Sequence, residues 1–301
     1  MAHAIEETTI RSGGAALAAW LLRPTGADAE HRTSCVVMAH GFSATRRDGL
    51  LAFAEPFADA GHGVLAFDYR GFGDSGGEPR QVVDVAGQQD DYRAAIEHAR
   101  RLEWVDPERI ALWGSSLSGG HVVDVAAGDE RLAAAIAQAP FADGLAQLRA
   151  APPWIALRGT LDALLDIGLA AFGGAPRTIA AVGPPGSYAV LTAPEAEPGF
   201  RAIVGADSRW RNAVGARVLL RLVAWRPVRA AGRVSCPLLV CVCERDATTP
   251  PGGAIRMAEL APRGELVRYP IGHFDIYEGE PLRRAVADQI AFLARVLRRG
   301  G

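Results

Sequence analysis

The chain has 301 residues, of which 49% are apolar and 22% charged, with 32 basic and 34 acidic side chains. That length allows one large domain or two small ones, and that composition excludes disordered and collagen-like chains. A net charge of −2 gives no global attraction for nucleic acid, and no window approaches the roughly 18 unbroken apolar residues of a spanning helix, so neither a nucleic-acid nor a membrane partner is expected.

Every basic residue is arginine, a bias that fits GC-rich coding. The N-terminal Met-Ala-His-Ala-Ile-Glu-Glu has no basic and then apolar run, so no secretory signal is expected and the location reads as cytoplasmic. Cys35, Cys236, Cys241 and Cys243 have no His/Cys set at zinc spacing, which predicts buried, reduced thiols and no metal.

Along the chain, Thr8–Arg11 and Ala15–Leu22 flank Gly13-Gly14 and predict a β-hairpin. Apolar, β-rich runs follow at Cys35–Ala39, Val64–Tyr69, Ile110–Trp113, Ala133–Ala139, Leu238–Val242 and Leu266–Tyr269. Between them, Leu50–Ala60 and Val82–Leu102 have helical periodicity, the second with Asp84, Asp90 and Asp91 towards water. Apolar strands joined by helices predict a mainly parallel sheet covered on both faces.

The rhythm fails from about Gly144 to Arg233, where Pro152-Pro153, Gly173-Gly174 and Gly183-Pro184-Pro185-Gly186 interrupt short helices. This stretch holds eleven Arg against five acids, +6 in a chain of −2 overall. It reads as an insertion: residues 144–232 a helical cap, residues 1–143 and 233–301 one α/β core.

The segment Trp113-Gly114-Ser115-Ser116-Leu117-Ser118-Gly119-Gly120-His121 leads from a buried strand into a helix. A nucleophile on such a strained turn needs small residues two before and two after it. Ser115 would be flanked by Trp113 and Leu117, and Ser118 lies too far into the helix. Ser116, flanked by Gly114 and Ser118, is the candidate.

The segment resembles the nucleophile elbow of the α/β-hydrolase family, G-x-S-x-G, with Ser118 where the family has glycine. The resemblance implies the α/β-hydrolase fold: a mostly parallel central sheet flanked by helices, here with an N-terminal hairpin and an inserted helical cap. The hairpin is similar to that of bacterial members related to dienelactone hydrolases and dipeptidyl-peptidase-like esterases. By resemblance, the amides of Phe42, in His40-Gly41-Phe42, and of Leu117 form the oxyanion hole, with His40 a turn-stabilising residue. Gly71, Gly73 and Gly76 satisfy G-x-G-x-x-G, yet Glu78-Pro79 precedes the helix, and the loop looks like that after the family's fourth strand instead of a dinucleotide site.

The family order of serine, acid and histidine implies that His273, after the last strand, is the base. His3, His31, His62 and His98 lie at a terminus, in a loop or on expected surfaces, and His121 should point away from the elbow. Asp246 corresponds to the family's acid, with Glu244 and Asp275 as alternatives. The implied reaction is hydrolysis of a carboxylic ester of a small or medium organic substrate through an acyl-enzyme, without cofactor. A thioesterase, lactonase or peptidase would use the same residues. A catalytically silent binding protein should lack Ser116, Asp246 or His273, and all three are present. Oligomeric state is left open, a homodimer among the options.

In the insertion, Trp154, Phe172 and Trp210 are expected to cover the substrate. Arg201 to Arg233 carry two readings. In one, Arg217 and Arg221 belong to a solvated face opposite Val214, Val218, Leu222 and Trp225; in the other, Arg209 or Arg211 reaches a carboxylate on the substrate.

Overall fold

The computed structural model describes residues 3–145 and 153–298. Met1, Ala2 and the expected break at Pro152 lie outside these residues. The hairpin forms as expected: β1 (His3–Ser12) and β2 (Ala15–Pro24) pair antiparallel across Gly13 and Gly14. Both glycines have positive φ, 51° and 82°, which a two-residue hairpin turn matched to strand twist requires.

The remaining strands of the main sheet are β3 (Thr33–Ala39), β4 (Gly63–Phe67), β5 (Val105–Ser115), β6 (Ala134–Gln138), β10 (Leu238–Cys243) and β11 (Gly264–Tyr269). Their order is β1-β2-β4-β3-β5-β6-β10-β11, parallel from β4 onward. Successive side chains alternate between two cores. Cys35, Val37, Leu65 and Leu112 face one side, and Val36, Met38, Ala66 and Trp113 the other. Helices α2 (Val85–Arg100), α3 (Leu117–Ala126) and α7 (Pro251–Leu260) cover the first core, with Tyr92, Val122 and Met257. Helices α1 (Leu51–Asp59) and α8 (Gly279–Val296) cover the second, with Phe53, Phe57 and Phe292.

The strand order reverses between β3 and β5, and the crevice outside the carboxyl ends of such strands is where open α/β sheets bind ligands. Ala39 pairs with Gly114 and Gly114 with Ala137, so those strand ends are level.

Between β6 and β10 lie α4 (Pro153–Ala171), β7 (Thr178–Val182), β8 (Ala189–Leu191), α5 (Ala196–Ile203), β9 (Val214–Gly215) and α6 (Val218–Ala224). The insertion is therefore not purely helical: β8-β7-β9 form a second small sheet. Val214, expected on one helix with Val218 and Leu222, belongs to β9. Three further expectations change. Asp91 is fully buried and paired with Arg70 at 2.6 Å, a partner distant in sequence. His62 is buried against the Ser34 hydroxyl at 2.7 Å. Arg217 is not on an open face, because Asp166 draws it inward at 2.7 Å.

The four cysteines are buried and free, and desolvation raises their pKa values, that of Cys236 to about 11. Among the described residues, no helix is long and apolar enough to cross a membrane.

Candidate active site

Ser116 stands between β5 and α3 with φ 58° and ψ −122°, a left-handed conformation that costs a non-glycine residue about 1–3 kcal/mol. Its neighbours fix it there. Its amide donates to Gln138 O at 2.9 Å, and its carbonyl accepts from Phe141 N at 2.9 Å and Gly119 N at 3.0 Å. A Cβ at Gly114 would collide with the Ser118 carbonyl, which is why the position two before the serine must be glycine. The position two after it tolerates serine because the Ser118 hydroxyl meets those of Tyr69 and Tyr92, each at 2.7 Å. Ser115 is equally occupied, since its Oγ accepts from Tyr277 at 2.5 Å and Gln138 at 3.1 Å.

His273 and Asp246 come to Ser116 from the loops after β11 and β10. His273 Nε2 lies 3.1 Å from Ser116 Oγ, and Nδ1 lies 2.6 Å from Asp246 Oδ2, all three residues being buried. With Nδ1–H donating to the carboxylate, Nε2 is left as the acceptor for the serine proton. Thr249 fixes the carboxylate from its other side: its amide donates to Oδ1 at 2.6 Å and its hydroxyl to Oδ2 at 2.8 Å. The alternative acids are used elsewhere. Glu244 pairs with Arg268 at 3.3 Å, and Asp275 caps its own loop by accepting from Gly272 N at 2.8 Å. His121 is remote as expected, bonded to Gln88 at 2.9 Å and stacked on Trp225.

The oxyanion candidates lie beside the serine. Leu117 is the first residue of α3, where helix amides lack an intrahelical acceptor. Gly41 passes so close that a Cβ there would stand 3.2 Å from Ser116 Cβ, and the adjoining Phe42 lines the same small space as Ser116. His40 Nδ1 donates to Gly41 O at 2.9 Å, and burial lowers the pKa of this imidazole. The loop beyond is anchored by the buried Arg46, which pairs with Asp68, lies 3.0 Å from Asp74 and covers the Trp20 ring. Gly73, at φ 50°, bends the G-x-G-x-x-G segment around the Asp68 carboxylate, so that motif wraps a protein anion.

Two spaces adjoin the site. One of about 20 Å³, room for a single water, fronts Ser116 and His273 between Phe42, Leu191, Phe200 and Phe274. The other, about 640 Å³, lies between the insertion and the core, walled by Ile155, Gly159, Tyr188, Leu219, Thr249 and again Leu191. Its size is that of a small-molecule site. Glu195 ties the insertion to the acid loop, Oε1 accepting from Ala247 N at 2.9 Å and from the Thr248 amide and hydroxyl at 3.1 Å.

Several residues expected to bind substrate lie elsewhere. Trp154 and Phe172 are 51% and 93% exposed, because α4 turns Asp162 and Asp166 inward to meet Arg177 and Arg217. Arg209 reaches Asp74 at 3.1 Å with its side chain 75% exposed, and Arg211 is exposed. Neither arginine lines either of these two cavities. Trp210 is half-buried, packed on Phe200 and bonded to Ser43 Oγ at 3.3 Å. Thr249 and Glu195 were missed. Thr249 had a signal, standing three residues after Asp246 and just before Pro250-Pro251, where a capping carboxylate is expected. Among the described residues no group of His, Cys, Asp and Glu converges as a metal site.

A parallel sheet with a serine on a strained strand-to-helix turn, met by a histidine and a carboxylate from later loops, defines an α/β-hydrolase of the serine type. The chain matches the serine aminopeptidase S33 family over residues 30–277 and belongs to it. It is 43% identical to the quorum-quenching protein AidA of Acinetobacter baumannii (strain MDR-ZJ06) over 279 residues, 93% of this chain and 91% of the relative. A thiohydrolase of Aspergillus aculeatus, aneE, is 42% identical over 106 residues, 35% of this chain and 33% of the relative. The crystal structure of the α/β-hydrolase GrgF from Penicillium sp. sh18 superposes with a TM-score of 0.79 at 24% identity, covering 99% of both chains.

Proposed function

We propose that the chain hydrolyses carboxylic esters with an apolar acyl group, through an acyl-enzyme on Ser116. His273 Nε2 takes the hydroxyl proton as Oγ attacks the acyl carbonyl carbon, and Asp246 holds the ring and the imidazolium that forms. The carbonyl oxygen becomes an oxyanion held by the amides of Phe42 and Leu117. His273 then protonates the departing alkoxide, and water, deprotonated by the same nitrogen, releases the acid and frees Ser116.

The observation that carries this reading is the strained Ser116 with its hydroxyl 3.1 Å from an imidazole whose other nitrogen is 2.6 Å from a buried carboxylate. The cavity behind Leu191 supports an acyl group of medium size, and residues 144–232 would act as the cap that covers it. The test is labelling with a fluorophosphonate and turnover of p-nitrophenyl esters of increasing acyl length. Wild type should label and turn over, and Ser116→Ala should do neither. A label on Ser115 or Ser118 overturns the assignment.

A thioester is the second reading, favoured by the relative named a thiohydrolase. Oxygen and sulfur esters of one acyl group separate the two: a higher kcat/KM for the sulfur ester selects the thioesterase.

A further inference from the structure

Helix α4 is built inside out. At 100° per residue, Trp154, Leu157, Leu161, Leu164 and Leu165 share one arc of roughly 100°, and Phe172 follows directly after the helix. Each is between 51% and 93% exposed. Gly159, Asp162, Ala163 and Asp166 occupy the opposite side and are buried. The rotation is locked by Asp162 pairing with Arg177 and Asp166 with Arg217, both at 2.7 Å, so the apolar arc cannot turn inward without breaking them.

We propose that this arc docks on the same arc of a second copy of the chain, the two α4 helices running antiparallel about a two-fold axis near Leu161. The exposed area is one argument. Trp154, Leu157, Leu161, Leu164, Leu165 and Phe172 are each at least 51% exposed, leaving on the order of 700 Å² in water, above the patch a typical monomer shows and close to one side of a standard interface. The spacing is another. Trp154, Leu161 and Gly168 are seven apart, as are Leu157, Leu164 and Ala171, the seam of two packed helices.

Size points to a copy of the same chain. Reversing the helix about Leu161 brings Trp154 over Gly168. Gly168 is exposed, and nothing lies within 4 Å of where its Cβ would stand. The Trp154 side chain of each copy meets the open space at Gly168 of the other, twice over, as a self-complementary interface requires. A lipid surface would need only the apolar arc. The opposite side of α4, through Ile155, Ala156 and Gly159, walls the large cavity, so the dimer would hold that wall in place.

The test is sedimentation equilibrium of the full chain over three decades of concentration, which needs no substrate and stands apart from the esterase reading. A dimer is expected, weakened roughly 100-fold or more by Leu161→Glu, which buries an unpaired charge at the axis. That variant should keep its circular dichroism and unfold cooperatively as a monomer, Leu161 being exposed. As a second measurement, Leu161→Cys should give a disulfide-linked dimer on mild oxidation, and Ile5→Cys, on a distant exposed apolar residue, should not. A wild type monomeric throughout, a dimer indifferent to Leu161→Glu, or a monomer that instead floats with phosphatidylglycerol vesicles would each overturn the proposal.

Discussion

Thr249 holds both oxygens of Asp246, one through its amide at 2.6 Å and one through its hydroxyl at 2.8 Å. The carboxylate therefore has little freedom to rotate away from His273. Thr249→Val keeps the amide bond and deletes the hydroxyl, so kcat should fall by roughly 10- to 100-fold, the weight of one hydrogen bond to a charged group. Thr249→Ser should restore it. Asp246→Asn, which removes the acceptor that sets the tautomer, should cost about 10⁴. Steady-state kinetics on one p-nitrophenyl ester checks all three, and a Thr249→Val enzyme at wild-type kcat would remove the residue from the proposed machinery.

Arg46 and Asp68 form a buried pair beneath the loop that carries Phe42. Asp68→Asn leaves the guanidinium with two more exposed carboxylates, Asp74 at 3.0 Å and Glu7 at 3.6 Å, so unfolding free energy should drop by about 3 kcal/mol. Asp74→Asn, which keeps the buried partner, should cost less. Urea titrations of both variants give the comparison, and equal losses would mean that Asp68 is not the main counter-charge.

Two buried histidines set an acid limit on stability. Burial lowers His121 to about 3 and His62 to about 4, whereas in the unfolded chain both titrate near 6.5. Above pH 6.5 both states are neutral and the histidines contribute nothing. As pH falls below 6.5 the unfolded chain gains the protons first, so stability is lost progressively down to pH 4 for His62 and pH 3 for His121, at up to about 1.4 kcal/mol per pH unit for each. Chemical denaturation at several pH values should show this slope, shallower in His121→Gln. A slope unchanged in that variant would mean another group governs acid sensitivity.

The sequence reached Ser116 because the elbow imposes a local demand, small residues on both flanks, that Gly114 and Ser118 meet. His273 and Asp246 were legible because each follows an apolar run that reads as a strand, and strand ends in a parallel sheet share one edge. The packing inside the insertion was not legible. Periodicity assigns two faces to residues 153–171 and says nothing of which one turns inward. The usual rule, apolar inside, fails where Asp162 and Asp166 find Arg177 and Arg217 on later segments of the same insertion. Asp91 was misread for the same reason, its partner Arg70 lying on another element.

Leu191 borders both the small space before Ser116 and the large cavity beneath the insertion. It ends β8 and is half-buried, so its side chain can be exchanged without opening the main core. If the acyl group reaches from the serine into the larger cavity, it must pass this residue. Leu191→Ala should then raise kcat/KM for long acyl esters relative to acetate by roughly 10-fold, the discrimination that one or two methylenes make in an apolar pocket. Leu191→Trp should do the reverse, sparing acetate while suppressing longer chains. The shift should appear in kcat/KM with Ser116 still labelled by fluorophosphonate at the wild-type rate, since the reagent occupies only the space beside the serine. A chain-length profile identical in all three enzymes would place the acyl group outside the cavity and leave the proposed ester class without its binding site.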